Sequence, residues 1–368
     1  MALHPFVNPF AARCIFVLQY LADGNKECWF FMTETLKIAS LFAGVGGSDL
    51  GFEQTGRFET VYANEIDEKA ATTYRMNFDD VLDQRDIRDV DTEDIPDVDV
   101  VLSGFPCQAF SVAGYRKGFE DEQNGELFFE TLRVITSKRP RFALLENVKN
   151  LVGHDKGKTF RIILEALEQN GYFVKYQVLN ASEYGNIPQN RERIYIVAFR
   201  EEEDYYRFTF PKPIPLETTI RDVVDFDEVE DDKYYYTEES FKHYDTLMET
   251  VDDPDTVYQW RRKYARKNQS NVVPTLTANM GTGGHNVPLV FTEHGVRKLT
   301  PRETFNVQGF PDDYVLPEVA NGHLYKQAGN SVVVPVIKRI AEQLVEAMDH
   351  SKESDVPVQM KLGSLQSE

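Results

Sequence analysis

Three short runs constrain the fold of this 368-residue chain more than anything else in it: "LKIASLF", "VDVVLSGF" and "RFALLENV". Each is apolar nearly throughout rather than alternating, which suits a strand buried on both faces, as in a parallel sheet. The segments between them carry a helical repeat. Leu127, Phe128, Leu132 and Ile135 recur at helical spacing before Pro140, and Phe160, Ile163, Leu164 and Leu167 do so before Gly171. Strands alternating with helices predict a doubly wound α/β sheet. "PVIKRIAEQLVEAM" predicts a last amphipathic helix through Val336, Ile340 and Leu344, with Ile337 beside them. In "QNRERIYIVAFR", period two places Arg191, Arg193 and Tyr195 on one strand face, with Ile194, Ile196 and Ala198 toward the core.

The rest of the chain divides around this frame. Residues 1–31 are an apolar, aromatic extension, without the basic start or cleavage site of a signal peptide. Met32 offers a natural start, so the extension is expected to be dispensable. Residues 32–210 are expected to form the catalytic and cofactor-binding domain. From residue 211 to 321 the pattern is charged, tyrosine-rich and poorly periodic until "VVPTLTANMGTGGHNVPLV". Residues 322–350 are expected to return to complete the first domain, and 351–368 form a polar tail.

Composition excludes some classes. No apolar run is long enough to span a membrane. The cysteines are Cys14, Cys28 and Cys107, with no CxxC pair, so neither a disulfide framework nor a metal site is expected, and a cytoplasmic location is. The net charge of −20 argues against non-specific adhesion to nucleic acid. It leaves room for a local basic cleft, because the acids are concentrated in "DDVLDQRDIRDVDTEDIPDVD" and "DVVDFDEVEDDKYYYTEES". Basic clusters stand apart at 115–118, 137–141, 261–269 and 297–302.

Chemistry gathers at the strand ends. "FAGVGG" (42–47) is a glycine turn between the first strand and first helix, suited to close approach of a ligand. Glu65 stands about 20 residues on, where an acid takes ribose hydroxyls, and Asp86 suits an adenine amino group. These offsets predict an adenosine-bearing cofactor. The GxGG spacing, unlike GxGxxG, disfavours a pyrophosphate. Cys107 lies in "GFPCQAFS", where a strand empties into a loop; there an arginine neighbourhood would favour the reactive thiolate, whereas a lone cysteine is otherwise a buried, inert one. Glu146 ends the next strand, and an acid there is costly to bury unless paired or protonated, which suits a proton donor. Arg191 and Arg193 suit an anionic partner.

In number, order and spacing these motifs resemble the DNA cytosine-5 methyltransferases, from about Leu36 to Val345. They stand here as "FAGVGG", "NEID", "RDI", "GFPCQAFS", "ELFF", "ENVKNL", "QNRERIYIVAFR", "RKLTPRETFNVQGFP" and "GNSVVVPV". Two features depart: Ile66 stands where relatives often carry an aromatic, and the N-terminal extension has no counterpart. The resemblance implies a Rossmann-like S-adenosyl-L-methionine-dependent fold with a smaller, irregular target-recognition domain at 211–321. It implies that Cys107 attacks C6 of a cytosine flipped from duplex DNA, that Glu146 holds and protonates N3, and that Arg193 and Arg191 orient the carboxylate and the cytosine oxygen. For the cofactor it implies contacts from Phe42, Ala43, Gly44, Gly46, Gly47, Glu65, Ile66, Asp86, Ile87, Pro106, Leu127, Asn330 and Ser331. For DNA it implies Gln108, Ser111, Arg116, Lys117, Thr275, Gly281 and Gly283. The segment 109–129 reads as a loop that closes over the base. A monomer without metal is expected, in a restriction–modification setting, with a restriction endonuclease acting on the same site. A tRNA cytosine-5 methyltransferase would share most of these motifs. A dehydrogenase would share only the glycine turn, and a catalytically dead DNA-binding module would not need every chemical residue.

Overall fold

The computed structural model of the chain describes residues 35–106, 127–280 and 287–353. The expectations for residues 1–31, for Cys107, Gln108, Ser111, Arg116, Lys117, Gly281 and Gly283, for 109–126 of the closing loop and for most of the tail fall outside them; 127–129, read as the end of that loop, instead open helix Leu127–Lys138.

The buried runs are strands of a seven-stranded sheet. Its members are β1 (Leu36–Leu41), β2 (Phe58–Asn64), β3 (Leu82–Asp83), β4 (Val100–Ser103), β5 (Phe142–Val148), β6 (Phe173–Asn180) and β8 (Glu192–Phe199), in the order β3-β2-β1-β4-β5-β8-β6. β1 pairs in parallel with both β2 and β4, while β8 runs antiparallel to its neighbours β5 and β6. The order reverses between β1 and β4. That switch point opens a crevice at the carboxyl ends of the two strands, where open α/β sheets place ligands.

Both faces of the sheet are covered, which is why its strands read as continuous apolar runs. On one face Ala39, Val101, Leu145 and Ile196 pack against Phe128, Leu132 and Ile135 of helix Leu127–Lys138 and Ile163 and Leu167 of helix Lys158–Gln169. On the other, Ile38, Leu102, Leu144 and Val197 meet Phe52 of helix Gly47–Glu53 and Val336, Ile337, Ile340 and Leu344 of helix Val334–Glu353. The predicted one-sided β8 is corrected here: Tyr195 is buried in the second core, not left on a polar face.

A second lobe follows. Its centre is a four-stranded sheet in the order β10-β9-β12-β13, from β9 (Val257–Arg261), β10 (Tyr264–Lys267), β12 (Leu289–Thr292) and β13 (Gly295–Lys298). A two-stranded parallel pair, β7 (Gln189–Asn190) with β11 (Val273–Pro274), joins this lobe to the first. Phe305, Phe310 and Tyr314 pack with Val45, Ala70 and Val334, so the stretch after β13 adheres to the first lobe. The basic clusters separate in kind. Arg261, Arg262, Lys263, Arg266 and Lys267 are exposed on the β9–β10 hairpin. Arg297 is instead fully buried and bonded to both oxygens of Glu303 at 2.8 Å, correcting its reading as part of a basic surface. In the 137–141 cluster, Arg141 is held bidentately by Asp204, at 2.6 and 2.8 Å.

A buried polar network lies under the glycine turn. Asp49 is fully buried and accepts from Ser40 Oγ at 2.9 Å and Tyr74 OH at 3.0 Å. Burial pushes its carboxyl up to about 6, and that of Glu53, one turn on, to about 7. A carboxyl whose folded pKa exceeds its unfolded one binds its proton more tightly when folded. The associated stability is full below the unfolded value near 3.8 and is lost as pH rises through about 6. Asp49→Asn removes that slope. Relative to the wild type, the variant is expected to gain roughly 3 kcal/mol at most between pH 4 and pH 7, read from urea midpoints. Parallel pH profiles for the two proteins would show that Asp49 does not titrate in this range.

Candidate active site

The crevice at the switch point is a cleft of about 680 Å³. Its walls include Phe42, Ala43, Gly44, Gly47, Glu65, Ile66, Asp86, Ile87, Pro106, Leu127, Asn330 and Ser331, together with Glu146, Arg191 and Arg193. Residues far apart in sequence thus converge on one space: most follow a parallel strand or begin a helix at one edge of the sheet, Arg191 and Arg193 stand at the start of the antiparallel β8, and Asn330 ends helix Asn321–Asn330.

The glycine turn is shaped by its backbone. Phe42 has φ 55 and Gly44 φ 59, both left-handed, so the chain turns sharply as it leaves β1. A Cβ on Gly47 would lie 2.7 Å from Ser331 Oγ, so only glycine lets the turn approach the "GNSV" segment. Gly46 does not line the cleft. It caps helix Gly47–Glu53 with φ 76, and a Cβ there would fall 2.2 Å from the Phe78 ring, so its role is packing.

Glu65 accepts from the N–H of Gly44 at 2.9 Å and of Asp67 at 2.7 Å. It therefore braces the glycine turn as well as facing the cleft, and burial pushes its carboxyl up. Asp86 caps a short 3-10 turn by accepting from Arg88 N at 3.0 Å, and its ion pair with Arg88 holds its carboxyl below the usual range. Ile66 is 60% exposed on the cleft's rim, an apolar surface with room for a flat ring. Sequence reasoning missed Asp67, His323 and Lys326, which line the same space; Lys326 Nζ pairs with Asp67 at 2.6 Å. No motif marks His323 and Lys326, since helix Asn321–Asn330 meets the rim only through the tertiary fold, whereas Asp67 closes "NEID" and was given no role of its own.

At the deeper end, Glu146 and Arg193 form an ion pair, Oε1 to Nε at 3.0 Å. The pairing follows from register: Val148 lies opposite Arg193 and Glu146 opposite Tyr195 across β5 and β8. Burial pushes the Glu146 carboxyl up, and Arg193 and Arg191 pull it partly back. The next residue, Asn147, donates from Nδ2 to the Phe105 carbonyl at 2.8 Å. That bond ties the "ENV" strand end to the root of the "FPC" loop, which fixes Pro106 in the cleft wall beside Glu146. Cys107 is the residue after Pro106.

Arg191 is placed otherwise than expected. It is 2% exposed, and its guanidinium donates to three backbone carbonyls: Leu276 at 2.7 Å, Gly329 at 3.1 Å, and Ser331. Thr275 donates from Oγ1 to the Asn190 carbonyl at 2.5 Å, beside the β7–β11 pair.

Comparison with known proteins points to one family. A family model described as C-5 cytosine-specific DNA methylase matches residues 36–346. The chain is 66% identical over 313 residues to the type II methyltransferase M.Bsp6I of Bacillus sp. (strain RFL6), covering 85% of this chain and 99% of that one. It is 37% identical over 327 residues to the type II methyltransferase M.HhaI of Haemophilus parahaemolyticus, covering 85% and 95%. Among solved structures, a Spodoptera frugiperda DNMT2 mutant superposes with TM-score 0.66 at 21% identity, covering 84% of this chain and 100% of that one. A putative DNA modification methyltransferase encoded within an E. coli prophage gives 0.64 at 21% identity, covering 86% and 100%. These two likenesses establish the shared fold.

Proposed function

The chain belongs to the C-5 cytosine-specific DNA methylases, and we propose that it moves a methyl group from S-adenosyl-L-methionine to C5 of a cytosine flipped out of one duplex sequence. The observation that carries this reading is the convergence, in one cleft, of the glycine turn and Glu65 with the Glu146–Arg193 pair. The cleft's volume suits a ligand of nucleoside size.

S-adenosyl-L-methionine supplies an electrophilic methyl group. The Gly44 turn, Glu65, Ile66 and Asp86 hold its adenosine, and Leu127, Asn330 and Ser331 close its pocket. Cytosine C5 is a poor nucleophile until something adds at C6. The Cys107 thiolate forms a bond to C6, and electron density moves to C5. Glu146 protonates N3 as charge develops there, and Arg193 fixes both the carboxylate and the cytosine oxygen. Once C5 bears the methyl group, its proton passes to solvent, departure of the Cys107 thiolate restores the C5–C6 double bond, and the N3 proton returns to the Glu146 carboxylate. C6 cannot be reached within a stacked duplex, so the base leaves the helix.

The lobe centred on the β9–β10–β12–β13 sheet serves as the target-recognition part, with the exposed basic hairpin at 261–267 and Thr275 toward the DNA backbone. Gln108, Ser111, Arg116, Lys117, Gly281 and Gly283 contact DNA near the base. The enzyme acts as a monomer in the cytoplasm, as the methylase of a restriction–modification system, with an endonuclease reading the same sequence independently. Bisulfite sequencing of DNA from cells expressing the chain tests this. The expected result is protection of cytosine at one position of one short sequence. Methylated tRNA with unmodified DNA would favour the tRNA reading instead.

A further inference from the structure

Arg191 poses a physical problem. An arginine only 2% exposed normally has a carboxylate partner, and the bonds of this guanidinium all go to carbonyls. Its Nε has no partner among the described residues, and burial pushes the guanidinium's pKa down. Such a group costs stability unless its bonds secure something else.

What they secure is a three-way joint. The bond to Leu276 reaches the segment that follows β11, in the lobe assigned to DNA. The bonds to Gly329 and Ser331 flank Asn330, which lines the cofactor end of the cleft. Between those two segments the backbones touch directly: a Cβ on Gly329 would lie 2.2 Å from the Thr277 carbonyl carbon and 2.6 Å from Ala278 N. Two fully buried glutamines complete the joint. Gln189 donates to the Val307 carbonyl at 2.8 Å and to Gln308 Oε1 at 3.0 Å, and accepts from Leu276 N at 3.1 Å. Gln308 donates to the Ala328 carbonyl at 2.5 Å. Two residues beyond Arg191, Arg193 holds Glu146.

The geometry points to Arg191 as a positioning residue that never touches the cytosine: its planar fork sets the DNA-side segment 275–278 against the cofactor-pocket wall 329–331. The inference rests on the methyltransferase reading and divides the two arginines of "RER" by task. Arg193 serves the reacting base, and Arg191 serves the joint. A lysine keeps the charge but cannot bond carbonyls on two segments through one planar group.

Steady-state methyl transfer to unmethylated plasmid DNA separates the tasks. Arg191→Lys is expected to raise KM for both DNA and S-adenosylmethionine about tenfold while kcat falls less than about fivefold. Arg193→Lys is expected to do the reverse, lowering kcat at least about a hundredfold with both KM values little changed. Gly329→Ala, which forces the same two segments apart without altering Arg191, should reproduce the Arg191→Lys pattern. Circular dichroism and a cooperative melt establish that each variant is folded. If Arg191→Lys lowers kcat a hundredfold with both KM values unchanged, Arg191 acts on the base and the inference is overturned. Wild-type KM values in Gly329→Ala would also overturn it. Absence of methyl transfer by the wild-type protein would instead overturn the methyltransferase reading itself.

Discussion

Cys107→Ser is expected to lower methyl transfer by at least roughly a thousandfold while S-adenosylmethionine affinity stays within about twofold. Serine keeps the size of the side chain but not its acidity. A hydroxyl is not ionised at neutral pH, whereas a thiol near pKa 8.5 becomes a nucleophile with modest help. The separation of the two effects follows from the cleft. The glycine turn and Glu65 stand at the ends of β1 and β2, and the root of the "FPC" loop stands at the end of β4. The Asn147–Phe105 bond holds that root in place whichever side chain follows Pro106. Titration calorimetry and a methyl-transfer assay on the same preparation read both quantities. Retained turnover, or lost cofactor affinity, would remove Cys107 from the role of nucleophile.

The second large effect is expected at Glu146. Glu146→Gln preserves shape and can still accept from Arg193, but it has no proton to give. Proton donation of this kind is worth about a hundred- to ten-thousandfold, so kcat should fall by that order with the fold unchanged. The pH profile carries the sign. Burial raises the Glu146 pKa, so the acid stays protonated to higher pH than an ordinary glutamate. Activity that depends on its proton declines as pH rises through that raised value, and the residual activity of the variant should lack this decline. A variant with kcat within threefold of the wild type would show that N3 is protonated by another group.

Much of this was legible in the sequence, for a physical reason. Strands buried on both faces must be apolar throughout, so β1, β4 and β5 stood out as runs. Helices on either face must carry a 3.6-residue stripe, so Leu132, Ile135, Ile163 and Ile340 stood out as well. The ends of those elements are where a switch-point fold places its ligands, which made the glycine turn, Glu65 and Glu146 visible in the sequence.

The second lobe was harder to read. Its strands are short, and β9 and β10 lie in a charged stretch where Val257, Tyr258, Trp260 and Ala265 are buried without a clean alternation. Arg297, buried against Glu303, looked like surface charge because arginine is usually exposed. The surroundings of Arg191 were hidden for a different reason. Its spacing from Arg193 placed both on one face, but spacing cannot show that three carbonyls from distant segments surround one of them. His323 and Lys326 escaped because a rim residue needs no particular neighbour in sequence.

Covalent trapping tests the central claim most directly. A duplex carrying the methylated sequence, with 5-fluorocytosine at the target position, presents the same ring to Cys107. After methyl transfer the last step must remove a proton from C5, and fluorine cannot leave as a cation. The enzyme should therefore stop as a protein–DNA adduct. The predicted result is a band of raised mass that survives denaturation, requires S-adenosylmethionine and is absent with Cys107→Ser. Full methylation of the ordinary duplex with no adduct on the fluorinated one would contradict attack at C6.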